Sequence, residues 1–209
     1  MAAAYKAGSA TTNGANDAGA NTIASASVTV AANDVWYLDV ISSDGTPLAC
    51  TGVVWDAAGV NEALTLVGAD TTYATNYRSS AWRGKGLTPK TAVFTATFAG
   101  NQTERLVVTT AYTGLDQTTS NGTVAVNSAA SSTAMATGAM TTAVGQLVCA
   151  LGAIGSGGTQ YTADSPTGTE RVEGSIPGTP FDTGAAQDFV ATGTSTTLTW
   201  TVGGGTPAG

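Results

Sequence analysis

The sequence predicts an all-β protein, an antiparallel two-sheet β-sandwich of jelly-roll-like type with an extended N-terminal arm. Short apolar runs recur about every ten residues from Ser27 onward, and Gly, Asn, Asp, Ser or Pro separates them. Charged residues make up only 10% of the 209 residues, against roughly 25% in an average globular protein. Thr, Ser, Asn and Gly must therefore form much of the surface, and almost no part of the chain is left for helix.

Residues 1–26 are predicted to form a flexible arm. They are rich in Ala, Gly, Asn and Thr, and their only large apolar side chains are Tyr5 and Ile23. Such a segment buries too little apolar area to offset the entropy lost on ordering. We expect it to become ordered only against a partner.

Residues 27–202 are predicted to form the sandwich domain, and residues 203–209, "GGGTPAG", a flexible tail. In "TAVFTATFAG", alternate residues share a face, with Phe94 and Phe98 on one side and Thr95 and Thr97 on the other. "GAIGSGGTQ" and "GSIPGTPFDTGAAQ" are interpreted as long loops. Strands are predicted near Ser27–Val30, Val35–Ser42, Cys50–Trp55, Ala63–Val67, Tyr77–Trp82, Ala92–Phe98, Glu104–Tyr112, Gly122–Val126, Gln146–Ile154, Thr169–Val172 and Thr196–Val202.

The charge balance disfavours nucleic acid and membrane as partners. Seven basic and fourteen acidic residues give a net charge of −7, whereas nucleic acid and anionic lipid attract a basic face. No run approaches the roughly 18 apolar residues that would span a bilayer. The N-terminus also lacks the apolar core of a signal peptide. We therefore expect synthesis in a cytoplasm without export.

The composition points away from most catalytic chemistry. The chain has no His, which removes the usual general base, a common zinc ligand and the Ser/His/Asp triad. No phosphate-binding glycine motif is present. The prediction is no catalytic residue, no cofactor and no metal.

Two alternatives remain open by residue type. Glycoside hydrolysis needs a facing pair of carboxyl groups, and oxygen-rich loops such as "TNGANDAGAN" and "VGADTT" offer ligands of the kind that calcium takes. The candidate carboxylates are better explained as solvated or turn-capping groups. They are Glu104, Glu170, Glu173, Asp56 and Asp116.

Cys50 and Cys149 lie in the apolar runs "LACTGVVW" and "QLVCALGAI". Buried thiols are the favoured interpretation, because free Cys is among the most buried residue types. A disulfide between the two is the alternative.

Four of the seven basic residues fall in "NYRSSAWRGKGLTPK". Arg78, Arg83 and Lys85 lie there beside Trp82, and Arg with aromatic residues is typical of an interface anchor. A hairpin kept soluble by its charges is the alternative interpretation. Trp82 offers a ring on which a sugar could stack, while core packing is the default for a Trp in a strand.

The ordered strands and connectors resemble a β-sandwich module of phage virion structural proteins, also found in some bacterial surface proteins. The resemblance covers residues 27–202, through "SVTVAANDVWYLDVISSDG", "CTGVVWDAAGVNEALTLVG", "RSSAWRGKGLTPKTAVFTATFAG", "AYTGLDQTT", "GQLVCALGAIGSGG", "GTERVEG" and "TTLTWTV". "GLDQTTS" is similar to a connector of the form Gly-Val-Asp-Gln-Thr-Thr-Pro, which implies that Asp116 is a turn residue. Such modules usually continue into a final strand after "TLTWTV", so we expect an open sheet edge there, covered by the N-terminal arm or that of a neighbouring subunit.

The resemblance implies a non-enzymatic phage virion protein, most directly a capsid decoration or cement protein on the particle surface. Its partner would be the major capsid protein, and it would act as a homo-oligomer on the particle. The candidate capsid contacts are Tyr5, Lys6, Arg78, Arg83 and Lys85. The alternative function is a carbohydrate- or receptor-binding module of a tail or surface protein, with Trp82 as the sugar platform.

Overall fold

The structure, a computed structural model of the chain, describes residues 3–73, 77–118, 124–125, 127, 134–155, 161–164, 166–178 and 182–204. All regular structure in these ranges is β-strand, and every strand pair is antiparallel. The prediction of an all-β, antiparallel protein is therefore confirmed. Within the same ranges there is no helix of the length and apolar character that crossing a membrane requires.

The described residues form eighteen strands. In chain order they are β1 (Ala4–Tyr5), β2 (Thr11–Ala24), β3 (Val28–Val30), β4 (Val35–Ser43), β5 (Cys50–Trp55), β6 (Glu62–Ala63), β7 (Thr65–Tyr73), β8 (Tyr77–Lys85), β9 (Lys90–Ala92), β10 (Phe94–Thr113), β11 (Ala134–Ala136), β12 (Met140–Thr141), β13 (Leu147–Gly155), β14 (Tyr161–Asp164), β15 (Thr169–Ser175), β16 (Asp182–Val190), β17 (Ser195–Thr196) and β18 (Thr199–Gly204).

The largest sheet has the order β6-β5-β10-β4-β8-β7 and is organised around β10, which is 20 residues long. The first residues of β10 pair with β5, and its second half pairs with β4. Both parts of β10 also pair with β2, and its last two residues pair with β1. Because a strand has two edges, β1 and β2 must lie along the edge opposite β4 and β5.

One face of this sheet covers the main hydrophobic core. Trp36, Trp55 and Phe94 are fully buried there, with ring centroids 5.3 Å apart for Trp36–Phe94 and 4.7 Å apart for Trp55–Phe94. The ribbon of β3 and β9 adds Val28 and Val30 to this core. The alternation predicted for Phe94 to Phe98 is present, because both rings are buried.

The opposite face packs on a second sheet, with the order β13-β16-β15. Ile41, Leu106 and Val108 of the large sheet form one cluster with Ile176 and Ala186. A further cluster joins β13 and β16 to β18 through residues such as Leu198 and Trp200. The structure is thus a set of packed antiparallel sheets, and the jelly-roll strand order stays a prediction.

The N-terminal segment, predicted as an arm that orders only against a partner, pairs with β10 of its own chain. Its small polar residues bury little area, as the composition indicated, and only Ile23 of β2 is a buried large apolar residue. Main-chain hydrogen bonding to β10 supplies the order instead. Composition alone cannot reveal this, because a ladder bond needs no particular side chain.

Three further expectations differ from the structure. The edge expected beside the last strand is occupied, because β18 lies between β11 and β14. The stretch interpreted as a loop after Gly174 includes Asp182–Gln187 of β16, the central strand of its sheet. Gly203 and Gly204 of the predicted tail belong to β18, and residues 205–209 lie outside the described residues.

Candidate functional site at the loop end of the large sheet

Strand register gathers most of the predicted contact residues at one end of the large sheet. Tyr5 pairs with Tyr112, Tyr112 with Val35, and Val35 with Lys85, so these residues form one row across β1, β10, β4 and β8. Lys6 follows Tyr5, and Arg83 lies two residues before Lys85. We call this region the loop end, defined by residues 6–8, 31–34, 85–86 and 114–118.

Arg78 lies at the opposite end of β8, where it pairs with Ser42. Its Nε donates to Oδ2 of Asp70 over 2.7 Å, and both side chains are partly buried. The structure therefore separates Arg78 from the other predicted contacts by most of the length of the strand.

Trp82 does not present a face to solvent. Only 6% of its surface is exposed, it belongs to the main core, and its Nε1 donates to Oγ of Ser80 over 2.9 Å. The other three tryptophans are buried as well. A sugar stacking on Trp82 would first have to open the core, so the default of core packing applies.

The loop of residues 114–118 is fixed to the end of β8 by three hydrogen bonds. Arg83 Nη2 donates to the carbonyl of Asp116 over 3.1 Å, and Lys85 Nζ donates to the carbonyl of Thr118 over 3.1 Å. The main-chain N–H of Gly86 donates to Oε1 of Gln117 over 3.0 Å. Arg83 is itself buried, so its guanidinium holds the 114–118 loop from the protein interior.

Asp116 is a turn residue, as the connector motif implied. Its Oδ1 accepts from both the N–H and the hydroxyl of Thr118, each over 2.7 Å. This is the side-chain-to-main-chain bond by which Asp stabilises a turn two residues on.

The turn of residues 31–34 forms the neighbouring part of the loop end. Oδ2 of Asp34 accepts from the N–H of Ala31 over 2.7 Å, and Asn33 has a left-handed backbone with φ of 68°. Asn is one of the few side chains that tolerate this conformation. Gln117 Nε2 donates to the carbonyl of Asn33 over 2.9 Å and so ties this turn to the 114–118 loop.

Lys6 attaches the N-terminal segment to the same turn. Its Nζ contacts the carboxylate of Asp34, which is only 2% exposed, and donates to the carbonyl of Thr29 over 2.6 Å. The ammonium also lies 5.5 Å from the centroid of the Trp36 ring, within range of a cation–π interaction. The charge of Lys6 is therefore used inside the chain.

Tyr5 connects the loop end to the second sheet. Its ring meets that of Tyr112 edge-on, with centroids 6.1 Å apart, and the guanidinium of Arg171 lies 4.1 Å from the Tyr5 centroid. Arg171 forms a bidentate pair with Asp188, at 2.6 Å and 2.8 Å. Bidentate geometry holds the guanidinium plane in place, so Tyr5 packs against a fixed partner.

Several ionisable groups are buried between the large sheet and the second sheet. Loss of hydration raises the pKa of the Asp39 carboxyl to about 6 and the pKa of the Tyr37 hydroxyl to about 12. It also raises the pKa of Tyr112 and takes the pKa of the Cys149 thiol to about 12. Burial thus favours the uncharged form of each group.

Cys50 and Cys149 are both free thiols and form no disulfide with each other; Cys50 is buried, as the favoured interpretation had it, and Cys149 is half-buried. Burial raises the pKa of Cys50 to about 11. Because the thiolate is the reactive form, the raised pKa lowers the reactivity of both side chains at neutral pH.

The open alternatives of calcium binding and carboxylate catalysis gain no support from the described residues. Among them, no three side chains of the Cys, Asp or Glu type lie close enough to hold a metal ion. Asp17 of "TNGANDAGAN" pairs with Arg105, and Asp70 of "VGADTT" pairs with Arg78. Asp56 pairs with Lys90 over 2.7 Å and caps the turn at Val60.

The loop end combines a fixed framework with exposed tips. Ala32, Asn33, Lys85, Asp116 and Thr118 are exposed, while the bonds described above hold their main chains in place. Loops that are already held in one conformation lose little further conformational entropy when they bind a partner. The sequence pointed to Lys85 but not to Asn33 or Gln117. Gln117 and Asn33 are joined through main-chain groups, and a bond to the main chain leaves no pattern in the sequence.

No family model matches this chain, and neither a curated protein nor a solved structure does so.

Proposed function

We propose that this protein is a non-enzymatic phage virion structural protein, most directly a capsid decoration protein whose loop end binds the major capsid protein on the particle surface. The observation that supports this most is the loop end itself, where hydrogen bonds of Arg83 and Gln117 join the 114–118 loop to the end of β8 and to the 31–34 turn and leave their tips exposed. The resemblance of residues 27–202 to modules of virion proteins names the class of partner.

The geometry divides the candidate contact residues into two roles. Lys85 is exposed and lies at the tip, so it touches the partner directly. Lys6 holds the 31–34 turn through Asp34, and Arg83 holds the 114–118 loop through the carbonyl of Asp116. Tyr5 packs against Arg171 and so joins the loop end to the second sheet. Arg78, at the far end of β8, lies outside this surface.

Preorganised loops suit a protein that binds many equivalent positions. Ordering a flexible side chain at an interface costs about 0.5–1.5 kcal/mol, and side chains fixed before binding avoid much of that cost. A protein that binds the assembled shell but not free subunits shifts the equilibrium toward the shell by mass action.

The first test is the copy number of this chain in purified particles, measured by quantitative mass spectrometry against the major shell protein. A fixed ratio of one, or a simple fraction of one, supports a lattice-wide decoration protein. A few copies per particle would move the proposal to the tail or a vertex, and absence from the particles would refute it.

The second test asks whether the loop end is the contact surface. Ala32→Arg adds a large charged side chain to the exposed turn before β4, and Thr46→Arg adds the same side chain to the exposed turn after β4, at the opposite end of the strand. We expect A32R to lose co-sedimentation with particles lacking this protein and T46R to retain it. Equal binding by both variants would exclude the loop end.

A further inference from the structure

The strands of this chain fall into two units that share no strand pair. In the described part of the chain, β1 to β10 pair only with one another, and so do β11 to β18. Each unit has a hydrophobic core of its own, one around Trp36 and Phe94 and one around Leu198 and Trp200. We call β1–β10 the first unit, β11–β18 the second unit, and the interface between them the seam.

The seam is formed by side chains instead of a strand ladder. β13 and β16 contact β4, and β15 contacts β2 and β10. The apolar part of the seam is one small cluster, made of Ile41, Leu106, Val108, Ile176 and Ala186. Relative motion of two units is the default expectation when the interface between them is neither large nor strongly apolar.

Beside this cluster the seam is polar. Alternate residues of a strand share a face, so Asp39 faces the second unit with Ile41, and Thr110 does so with Val108. Oδ2 of Asp39 and Oγ1 of Thr110 are buried there without a hydrogen-bond partner among the described residues. A buried polar group without a partner loses its bonds to water and gains none in return. Opening the seam returns both groups to water, which makes opening less costly.

Asp39 is the only carboxyl group of β4. Its Oδ1 accepts from the Ser79 hydroxyl, a bond within the first unit that an open seam retains. The titratable and charged groups that face it from the surrounding strands are Tyr37 of β4, Tyr112 of β10, Tyr77 and Arg83 of β8, Cys149 of β13 and Asp188 of β16 with its partner Arg171 of β15.

The two cations of this group are engaged elsewhere. Arg171 forms its bidentate pair with Asp188, and Arg83 donates to the carbonyl of Asp116 at the loop end. Asp39 itself has no ion-pair partner among the described residues. A carboxylate at this position therefore lies in a closed seam without a counter-ion.

From these features we propose that the second unit separates from the large sheet along the seam, and that ionisation of Asp39 drives this opening. The closed seam disfavours the carboxylate, whereas the open seam exposes it to water. The open state therefore binds the proton less tightly, and a rise in pH favours opening. This proposal goes beyond the proposed function and does not depend on a virion.

The size of the effect follows from the two states of Asp39. Burial raises its pKa from 3.8 to about 6, and exposure in the open seam would return it to the lower value. A difference of about two pKa units changes the opening equilibrium about a hundredfold between pH 4 and pH 6.

The test measures how often the seam opens, through single buried cysteines introduced into the full chain. Ala186→Cys reports from the second unit and Val108→Cys from the first, because both residues belong to the seam cluster and are at most 1% exposed. Ala96→Cys and Ala191→Cys are the matched controls, each at a residue 1% exposed in the core of one unit. Labelling by a pyridyl disulfide is followed at each site by peptide mass spectrometry, so the native cysteines stay in place.

The quantity compared is the protection factor, the labelling rate of the urea-unfolded chain divided by that of the folded chain at the same pH. We expect both seam cysteines to be less protected than both core cysteines, because the seam opens without global unfolding. Their protection should fall about a hundredfold between pH 4 and pH 6. With Asp39→Asn added, this fall should disappear, since Asn does not ionise.

The proposal is overturned when the seam cysteines are as protected as the core cysteines, since the seam would then open only in global unfolding. It is also overturned when their protection does not fall with pH, or falls equally with Asp39→Asn. Ala186 and Val108 lie on opposite sides of the seam, so a folding defect in one variant leaves the other to decide. The virion proposal is unaffected by any of these results, because it is tested on particles.

Discussion

Replacing Asp39 by Asn should remove a specific part of the pH dependence of folding. Asp39 lies on β4, is 1% exposed, and accepts a hydrogen bond from the Ser79 hydroxyl at Oδ1 over 2.6 Å. Its other oxygen, Oδ2, is buried without a hydrogen-bond partner among the described residues. Burial therefore disfavours the carboxylate, and the pKa of Asp39 rises from 3.8 to about 6.

The sign of the effect follows from which state binds the proton more tightly. With a raised pKa, the folded state holds a proton that the unfolded chain has already lost between about pH 4 and pH 6. The stabilisation is complete below pH 4 and is lost as the pH rises through 6. A difference of about two pKa units corresponds to about 3 kcal/mol, so this one group should lower the free energy of unfolding by about that amount across the interval.

Urea unfolding followed by tryptophan fluorescence, at several pH values from about 4 to 8, measures this change. Asn cannot ionise, and any cost of its buried amide is the same at every pH. D39N should therefore lose about 3 kcal/mol less stability than the unmodified protein between pH 4 and pH 7.

Ser79→Ala is the companion variant, because it removes a hydrogen bond that lowers the pKa of Asp39. The loss of stability should then extend to higher pH than in the unmodified protein. If D39N keeps the unmodified pH dependence, the carboxyl does not titrate in this interval and the argument from burial is refuted.

Three further predictions follow from close packing, thiol burial and the fixed loops. A Cβ on Gly184 would lie 2.6 Å from Cγ2 of Val108, so Gly184→Ala should lower the free energy of unfolding by about 1–3 kcal/mol, measured with urea. The control is Gly52→Ala, because a Cβ on Gly52 meets nothing within 4 Å. Equal stability of the two variants would contradict this packing. Burial raises the pKa of Cys50 to about 11 and that of Cys149 to about 12. Alkylation by iodoacetamide near pH 8 should therefore be slower in the folded than in the urea-unfolded chain, by about a hundredfold at Cys50 and about a thousandfold at Cys149. Rapid labelling of the folded protein would show accessible thiolates and contradict this burial. Gln117→Ala removes the hydrogen bonds of this side chain to Gly86 and Asn33. The Gly86 amide should then exchange faster with solvent, and the free energy of unfolding should fall by about 1 kcal/mol. Unchanged exchange would mean that the loops keep their conformation without this link.

Strands with large apolar side chains were predictable from the sequence, and strands without them were not. The run from Phe94 to Phe98 alternates apolar residues with threonines, and its buried face followed directly. β16 was missed because its central core positions are Gly184, Ala185 and Ala186, and the approach of Val108 requires a small residue at Gly184. A search for apolar patterns finds strands with large side chains. β16 fits between its neighbours because its central side chains are small.

The candidate site was predictable only in part, for a related reason. Basic residues and an aromatic residue in one segment indicated a contact surface, and Lys85 does lie at the loop end. The register that joins Tyr5 and Lys6 to Lys85 depends on pairing between distant strands. Trp82 and Arg78 belong to the same sequence segment, yet one points into the core and the other lies at the far end of β8.

The pairing of β2 with β10 imposes a delay on folding during synthesis. Thr11 leaves the ribosome before its partner Thr109, which follows 98 residues later in the chain. At about 5–20 residues per second, the start of β2 waits about 5–20 s before its partner exists. Throughout that interval the main-chain groups of this part of β2 have only water as a hydrogen-bond partner. β2 is therefore synthesised early but joins the sheet late.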